Sequence, residues 1–280
     1  MNNDIFAYRY RPVLLVLIAE YIVMQVSGVG LHALAGNNLF SLNVDPLSWL
    51  PFLASFPDFL LLHSGLGWFT DLGLLILLTL VFFNPEKQSW AVAAMTVAVI
   101  FFVTLMSRHI HWNFQEGFFL VLIPLCFRSG RSKVFAFEGL RYFLLFFYSS
   151  AGFLKLYYGA FLHTDHFSNL LAGQFGPYFF EGNTGWRTSL HVYLVNHHYV
   201  SYVLFLFSIA LEIFAFAGFF TRRFDVWIGL GLLAFHLADW IIMDIGPFGQ
   251  IAFISILFLN SKFIPADQKQ FSHSFFQSSK

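Results

Sequence analysis

Apolar stretches of about twenty residues, the length a helix needs to cross a hydrocarbon slab, follow one another along most of this chain. Eight can be drawn: 12–34, 67–84, 89–106, 112–127, 134–157, 195–220, 225–243 and 248–260. The fold they predict is all-α, a polytopic membrane helix bundle with about eight transmembrane helices. Composition agrees. Hydrophobic residues make up 58% of the chain and charged residues 11%, against about 25% charged in ordinary soluble domains. The net charge is zero, so no basic field exists to recruit nucleic acid. Cys126 is the one cysteine, which excludes an intrachain disulfide and any cysteine-built metal site. The first apolar run is longer than the core of a cleavable leader and reads as an uncleaved signal anchor.

The distribution of positive charge orients the spans. With the N-terminus inside, the inner segments hold Arg9, Arg11, Lys87, Arg128, Arg131, Lys133, Arg222, Arg223, Lys262, Lys269 and Lys280, and the outer segments hold Arg108 and Arg187. That bias predicts both termini in the cytoplasm. Residues 1–260 then form a single transmembrane domain, and 261–280 a polar tail expected to be disordered. Trp49 to Leu62 is apolar but broken by Pro51 and Pro57, so it is expected to lie in the interface or re-enter. The longest connection, 158–194, falls outside. Its segment from Gly173 to Gly185 reads as a loop able to cover an outward-facing pocket.

Charge inside a slab of this kind is costly, about 2.5 kcal/mol or more per residue on the lenient scales. The ionisable residues of the spans are therefore the informative ones. Lys155, near the outer end of the fifth span, must snorkel to the interface, pair with an acid, or give up its proton. As an anchor it is flanked by the interfacial aromatics Tyr157 and Tyr158. Gly152, one turn earlier, either lets a neighbouring helix approach closely or leaves room for a flat ligand beside the amine. His236 and Asp239 are three residues apart and share a helix face. They are either a satisfied polar pair or an imidazole oriented by a carboxylate. Glu20 and Glu212 are lone acids in apolar spans. Glu138 and Arg141 read as a structural pair, with Glu212 able to complement the arginine. His163, His166, His197 and His198 match no zinc spacing and read as loop histidines. Lys155, His236 and Asp239 converge on the outer side, as do Trp112, Gln115 and Glu116 at the start of the fourth span.

Several short motifs occur in a suggestive order. Ala151-Gly152, with Lys155-Leu156 three residues on, resembles the lysine-bearing segment of the vitamin K-dependent gamma-carboxylase family. Leu211-Glu212-Ile213 followed by Ala217-Gly218-Phe219-Phe220 and Thr221-Arg222 is similar to an acidic helix and Thr-Arg turn of that family. Phe235-His236, with Gly246 and Phe248 beyond, is similar to its histidine helix. Trp112-Asn113-Phe114-Gln115 resembles a Trp-Asn-x-His stretch, with Gln115 and Glu116 where the family has a histidine. The likeness covers about residues 100–260, and the wider group is the HTTM family, the transmembrane domain that bacterial proteins share with the carboxylase.

The resemblance implies a bacterial cytoplasmic-membrane protein with its functional face outward. It implies Lys155 as the base toward a reduced quinone of the vitamin K type, with His236 and Asp239 as helpers. Gly152, Trp112, Gln115 and Glu116 would bind substrate. The carboxylase itself carries a large soluble portion after its spans, and this sequence ends about twenty residues after the eighth. Glutamate carboxylation is accordingly the less expected part of the chemistry. A rival reading makes the chain a non-enzymatic membrane chaperone or maturation partner for a secreted peptide. A third, a proton-coupled transporter using Glu20, Glu212 and Asp239, needs a polar path across the whole membrane.

Overall fold

The structure, a computed structural model, describes residues 3–28, 30–34, 59, 63–107, 120–180, 185–243 and 250–259. Every element among them is helical. Four helical stretches, Tyr10–Ala33, Gly65–Phe83, His198–Phe219 and Arg222–Met243, are long and apolar enough to cross a membrane, and Gln88–Thr104 and Gln250–Leu259 are shorter apolar helices. The chain divides into two compact units, residues 1–138 with 248–280, and residues 139–247. The tail 261–280, the Trp49 to Leu62 segment apart from Phe59, and Trp112, Gln115 and Glu116 lie outside the described residues.

The first unit is built on α1 (Asn3–Val26), α2 (Leu31–Leu34), α3 (Ser64–Phe83) and α4 (Gln88–Ser107). Along α1 the buried residues Tyr10, Leu14, Leu17, Tyr21 and Met24 recur every three or four positions, the stripe of a helix with one packed face. Pro12 lies inside this helix and not at its start, where the sequence reading placed it. Asn84 closes α3 as expected, its backbone N–H and side-chain amide both donating to Leu80 O. Helix α4 packs on α3; its buried residues include the small Ala91, Ala94 and Ala98, and those of α3 include Leu74, Leu78 and Val81. Tyr10 donates to Val121 O at 2.5 Å, beside the 3₁₀ turn Ile123–Cys126.

The second unit starts within α5 (Gly130–Tyr157) and continues through α6 (His166–Phe180), α7 (Trp186–Asn196), α8 (His198–Phe214) and α9 (Asp225–Met243). Helices α6 and α7 correct the sequence reading. Most of the described part of 158–194 is helical: His166–Phe180 and Trp186–Asn196 pack together as a helical pair, reached from α5 through a short 3₁₀ turn, Ala160–Leu162. The segment from Gly173 is helical as far as Phe180. Gly159 at φ +68° is the left-handed residue that stops α5, its N–H returning to Leu156 O. The pair packs through Leu171, Phe175 and Leu194. His191, expected in a solvated loop, is buried, stacks on Phe175 and reaches Ile242 O through Nε2 at 2.8 Å.

The outward faces are as apolar as the interior. Phe69 is 78% exposed, Phe146 64%, Phe207 62% and Trp227 67%. Water would penalise such a surface and lipid would not.

Candidate functional site

Within the second unit α8 runs antiparallel to α5, because Gly218 meets Leu145 while Glu212 and Ile213 meet Gly152. Helix α9 runs parallel to α5, with Arg141 paired to Asp225 and Tyr148 to His236. These three helices set two polar levels.

The lower level is a structural lock. Arg141, 1% exposed, donates through Nε to Asp225 Oδ2 at 3.2 Å and through one terminal nitrogen to Asp225 Oδ1 at 2.5 Å and Gly218 O at 2.8 Å. Asp225, which opens α9 beside the guanidinium, is a partner that the sequence reading did not name, and Glu212, offered there as a complement to the arginine, pairs with Lys155 instead. The preceding turn is capped by Thr221, whose Oγ1 accepts from Arg223 N.

The upper level holds Lys155, Glu212, Asp239, Tyr148 and His236. Lys155 Nζ lies 2.6 Å from Glu212 Oε1, with side chains 33% and 4% exposed. Of the three fates open to this lysine, pairing with an acid is the one adopted. Glu212 Oε2 is shielded from solvent and has no hydrogen-bond partner among the described residues. Asp239 stands within electrostatic reach of both Lys155 and Glu212, and the field of Asp239 and Glu212 also reaches Tyr148. The Tyr148 hydroxyl hydrogen bonds His236 Nε2. Tyr148, not Asp239, is therefore the residue at that nitrogen. Tyr148 was legible as a candidate, because Tyr148, Gly152 and Lys155 repeat at four and three residues and share one face of α5.

Gly152 has no space beside it. A Cβ there would fall 2.9 Å from Ile213 Cγ1, 3.0 Å from Glu212 Cβ and 3.1 Å from Ile213 N. Its role is close helix approach, which brings Glu212 under the lysine, and not an opening for a flat ligand.

The ends of the helices place Lys155. At about 1.5 Å of rise per residue, α5 continues only about 3 Å past Lys155, whereas α8 continues about 21 Å from Glu212 to His198. The N-terminal half of α8 is contacted by other chain: Tyr202 donates to Phe161 O at 2.7 Å, Phe205 stacks on Phe167, and Ser201 donates to Leu194 O. Lys155 is accordingly at the end of its own helix yet well within the length of α8.

Among the described residues no group of three or more His, Cys, Asp or Glu side chains is placed to hold a metal ion. Trp112, Gln115 and Glu116 lie outside the described residues, so the site comprises Lys155, His236 and Asp239 of the sequence reading, with Glu212 and Tyr148 added. Comparison with protein-family models, with characterised proteins and with solved structures finds no match to this chain.

Proposed function

We propose that the chain is an HTTM-like integral membrane protein of about eight spans, with both termini cytoplasmic. In this reading its second unit carries an outward-facing proton-transfer site for a lipophilic, hydroxyl-bearing substrate of the reduced-quinone class. The four long apolar helices and the apolar outer faces support the membrane setting.

One observation carries the site: the half-exposed Lys155 amine on a carboxylate whose second oxygen, Glu212 Oε2, is buried without a partner among the described residues. A substrate hydroxyl approaching the exposed side of Lys155 meets a base that can pass its own proton on. Lys155 Nζ yields a proton to Glu212 Oε1 and takes the hydroxyl proton in its place, leaving the substrate as an oxyanion beside the restored ammonium. Asp239 sets the local field, and the Tyr148–His236 pair supplies a second proton-exchanging hydrogen bond on the same side of α5. Lysine is suited to this because its charge is labile in an apolar site, whereas arginine keeps its proton.

The test is organic extraction of the detergent-purified protein and mass spectrometry of the lipids released. Co-purification of a quinone with the native chain, and its loss from Lys155→Arg and Glu212→Gln, is the expected result. Phospholipid alone, or unchanged quinone in both variants, removes the reading.

The closed packing at Gly152 and the mutual pairing of the ionisable groups favour a second reading, a non-enzymatic membrane chaperone or maturation partner for a secreted peptide, in which the Lys155–Glu212 pair is a fastening. It predicts a stable complex with a partner protein, no bound quinone, and partner binding that survives Lys155→Arg.

A further inference from the structure

A second constellation lies in the first unit, and the proton-transfer reading does not use it. Past the end of α1 the chain turns back, and α2 is laid on the first turns of α3. Gly67 permits the contact, since a Cβ there would fall 2.9 Å from His32 N and 3.0 Å from Leu31 C. The open backbone N–H groups at the start of α2 then meet Asp71 of α3. Leu31 N donates to Oδ1 at 3.2 Å and His32 N to Oδ2 at 2.9 Å. His32 Nδ1 donates to Oδ2 at 2.7 Å. The Tyr21 hydroxyl donates to Asp71 O at 3.0 Å.

Asp71, 3% exposed, is thus saturated by donors, and its carboxylate fixes the imidazole with the proton on Nδ1. Trp68 stacks on the ring at 3.8 Å between centroids and holds its plane. Nε2, on the ring edge turned away from Asp71, is left as a hydrogen-bond acceptor with no partner among the described residues.

The same residues line a cleft of about 290 Å³, whose remaining walls are chiefly Ile22, Val26, Leu72 and Leu75. Gln25 also lines it, and both amide atoms of its side chain are shielded from solvent without a partner among the described residues. Val26 and Leu72 are exposed, so the cleft opens sideways onto the apolar outer surface. Such walls reject a charged ligand. The size suits one ring, near the lower limit of small-molecule sites.

We infer that the His32–Asp71 dyad and its cleft bind a neutral, lipid-soluble phenol or alcohol. Its hydroxyl donates to His32 Nε2, and the Gln25 carboxamide bonds the same oxygen. The residues concerned all belong to the first unit, so this site stands whether or not Lys155 is a base.

The test measures saturable binding of 4-hexylphenol and of its methyl ether, 4-hexylanisole, to the full chain in detergent, followed by ligand-observed NMR. The phenol is expected to bind about tenfold more tightly than the ether, the worth of one well-placed hydrogen bond to a buried acceptor. His32→Phe keeps the stack on Trp68 and removes the acceptor, so it should abolish that preference. Leu72→Trp, which fills the cleft from its exposed wall and leaves the dyad intact, should abolish binding of both ligands. These comparisons are made in a Lys155→Gln background of the full chain, which removes binding by the second unit's site. Equal affinity for phenol and ether overturns the inference, as does phenol binding that survives Leu72→Trp or a preference that survives His32→Phe. A preference present in the native chain but absent from the Lys155→Gln background would assign the binding to the other unit and overturn it equally.

Discussion

Replacing Asp225 by alanine removes the two charge-assisted hydrogen bonds it accepts from the Arg141 guanidinium and keeps the one to Gly218 O. Both side chains of the pair are 1% exposed, so solvent cannot move in to take the lost partner's place. Breaking a buried pair of this kind by removing one partner costs about 3–5 kcal/mol. Asp225→Asn keeps one acceptor oxygen but gives up the charge, and should cost less, about 1.5–3 kcal/mol, the worth of charge assistance in one or two bonds. Arg141→Met combined with Asp225→Leu removes both charges and should be milder than Asp225→Ala alone, because a buried pair is expensive to break and inexpensive to replace. Unfolding in mixed micelles, followed by tryptophan fluorescence, gives the three free energies. A loss below about 1 kcal/mol for Asp225→Ala, the scale of an exposed pair, would refute the reasoning. So would a double variant less stable than Asp225→Ala.

Gly152→Leu should separate α5 from α8, at a cost of about 1–3 kcal/mol for overpacking, and should weaken quinone retention by moving Glu212 from Lys155. Gly152→Ala should do the same more mildly, as its methyl carbon meets backbone and side chain at 2.9–3.1 Å; both are read by the micelle titration. For topology, single cysteines in a Cys126→Ser background should react with an impermeant maleimide from outside the cell at Arg187 and only after permeabilisation at Lys87. The reverse pattern would invert the proposed orientation.

The apolar runs made the helices legible, because a span advertises itself by length and hydropathy alone. Asn84 before Pro85 ended α3 where expected, and Lys155, His236 and Asp239 stood out as charge where charge is costly. Pairing was harder to read. Arg141 had an acid three residues away on its own helix, and local spacing carried no information about Asp225, 84 residues later. Glu212 was visible as a lone acid but assigned to Arg141, since depth was counted from the ends of apolar runs. The α6–α7 pair was hidden for the same reason: each helix is too short to cross by itself, so hydropathy files it with the loops. The Asp71 site escaped because two of its donors are backbone N–H groups, which leave no mark in the sequence, and the side-chain donors His32 and Tyr21 lie 39 and 50 residues away.

The early stop of α5 at Gly159 has an architectural consequence. Along the length of α8, one course of the bundle is laid in two pieces: α5 occupies part of it, and the turn after Gly159 with the α6–α7 pair faces the rest. Masonry of this sort has a joint, and here the joint falls beside Lys155. Helices of 15 and 11 residues need not reach across anything when they abut another segment end to end. Counting membrane crossings by apolar length assumes unbroken columns. In the second unit one column is jointed, and the residues with the most chemistry stand at the joint.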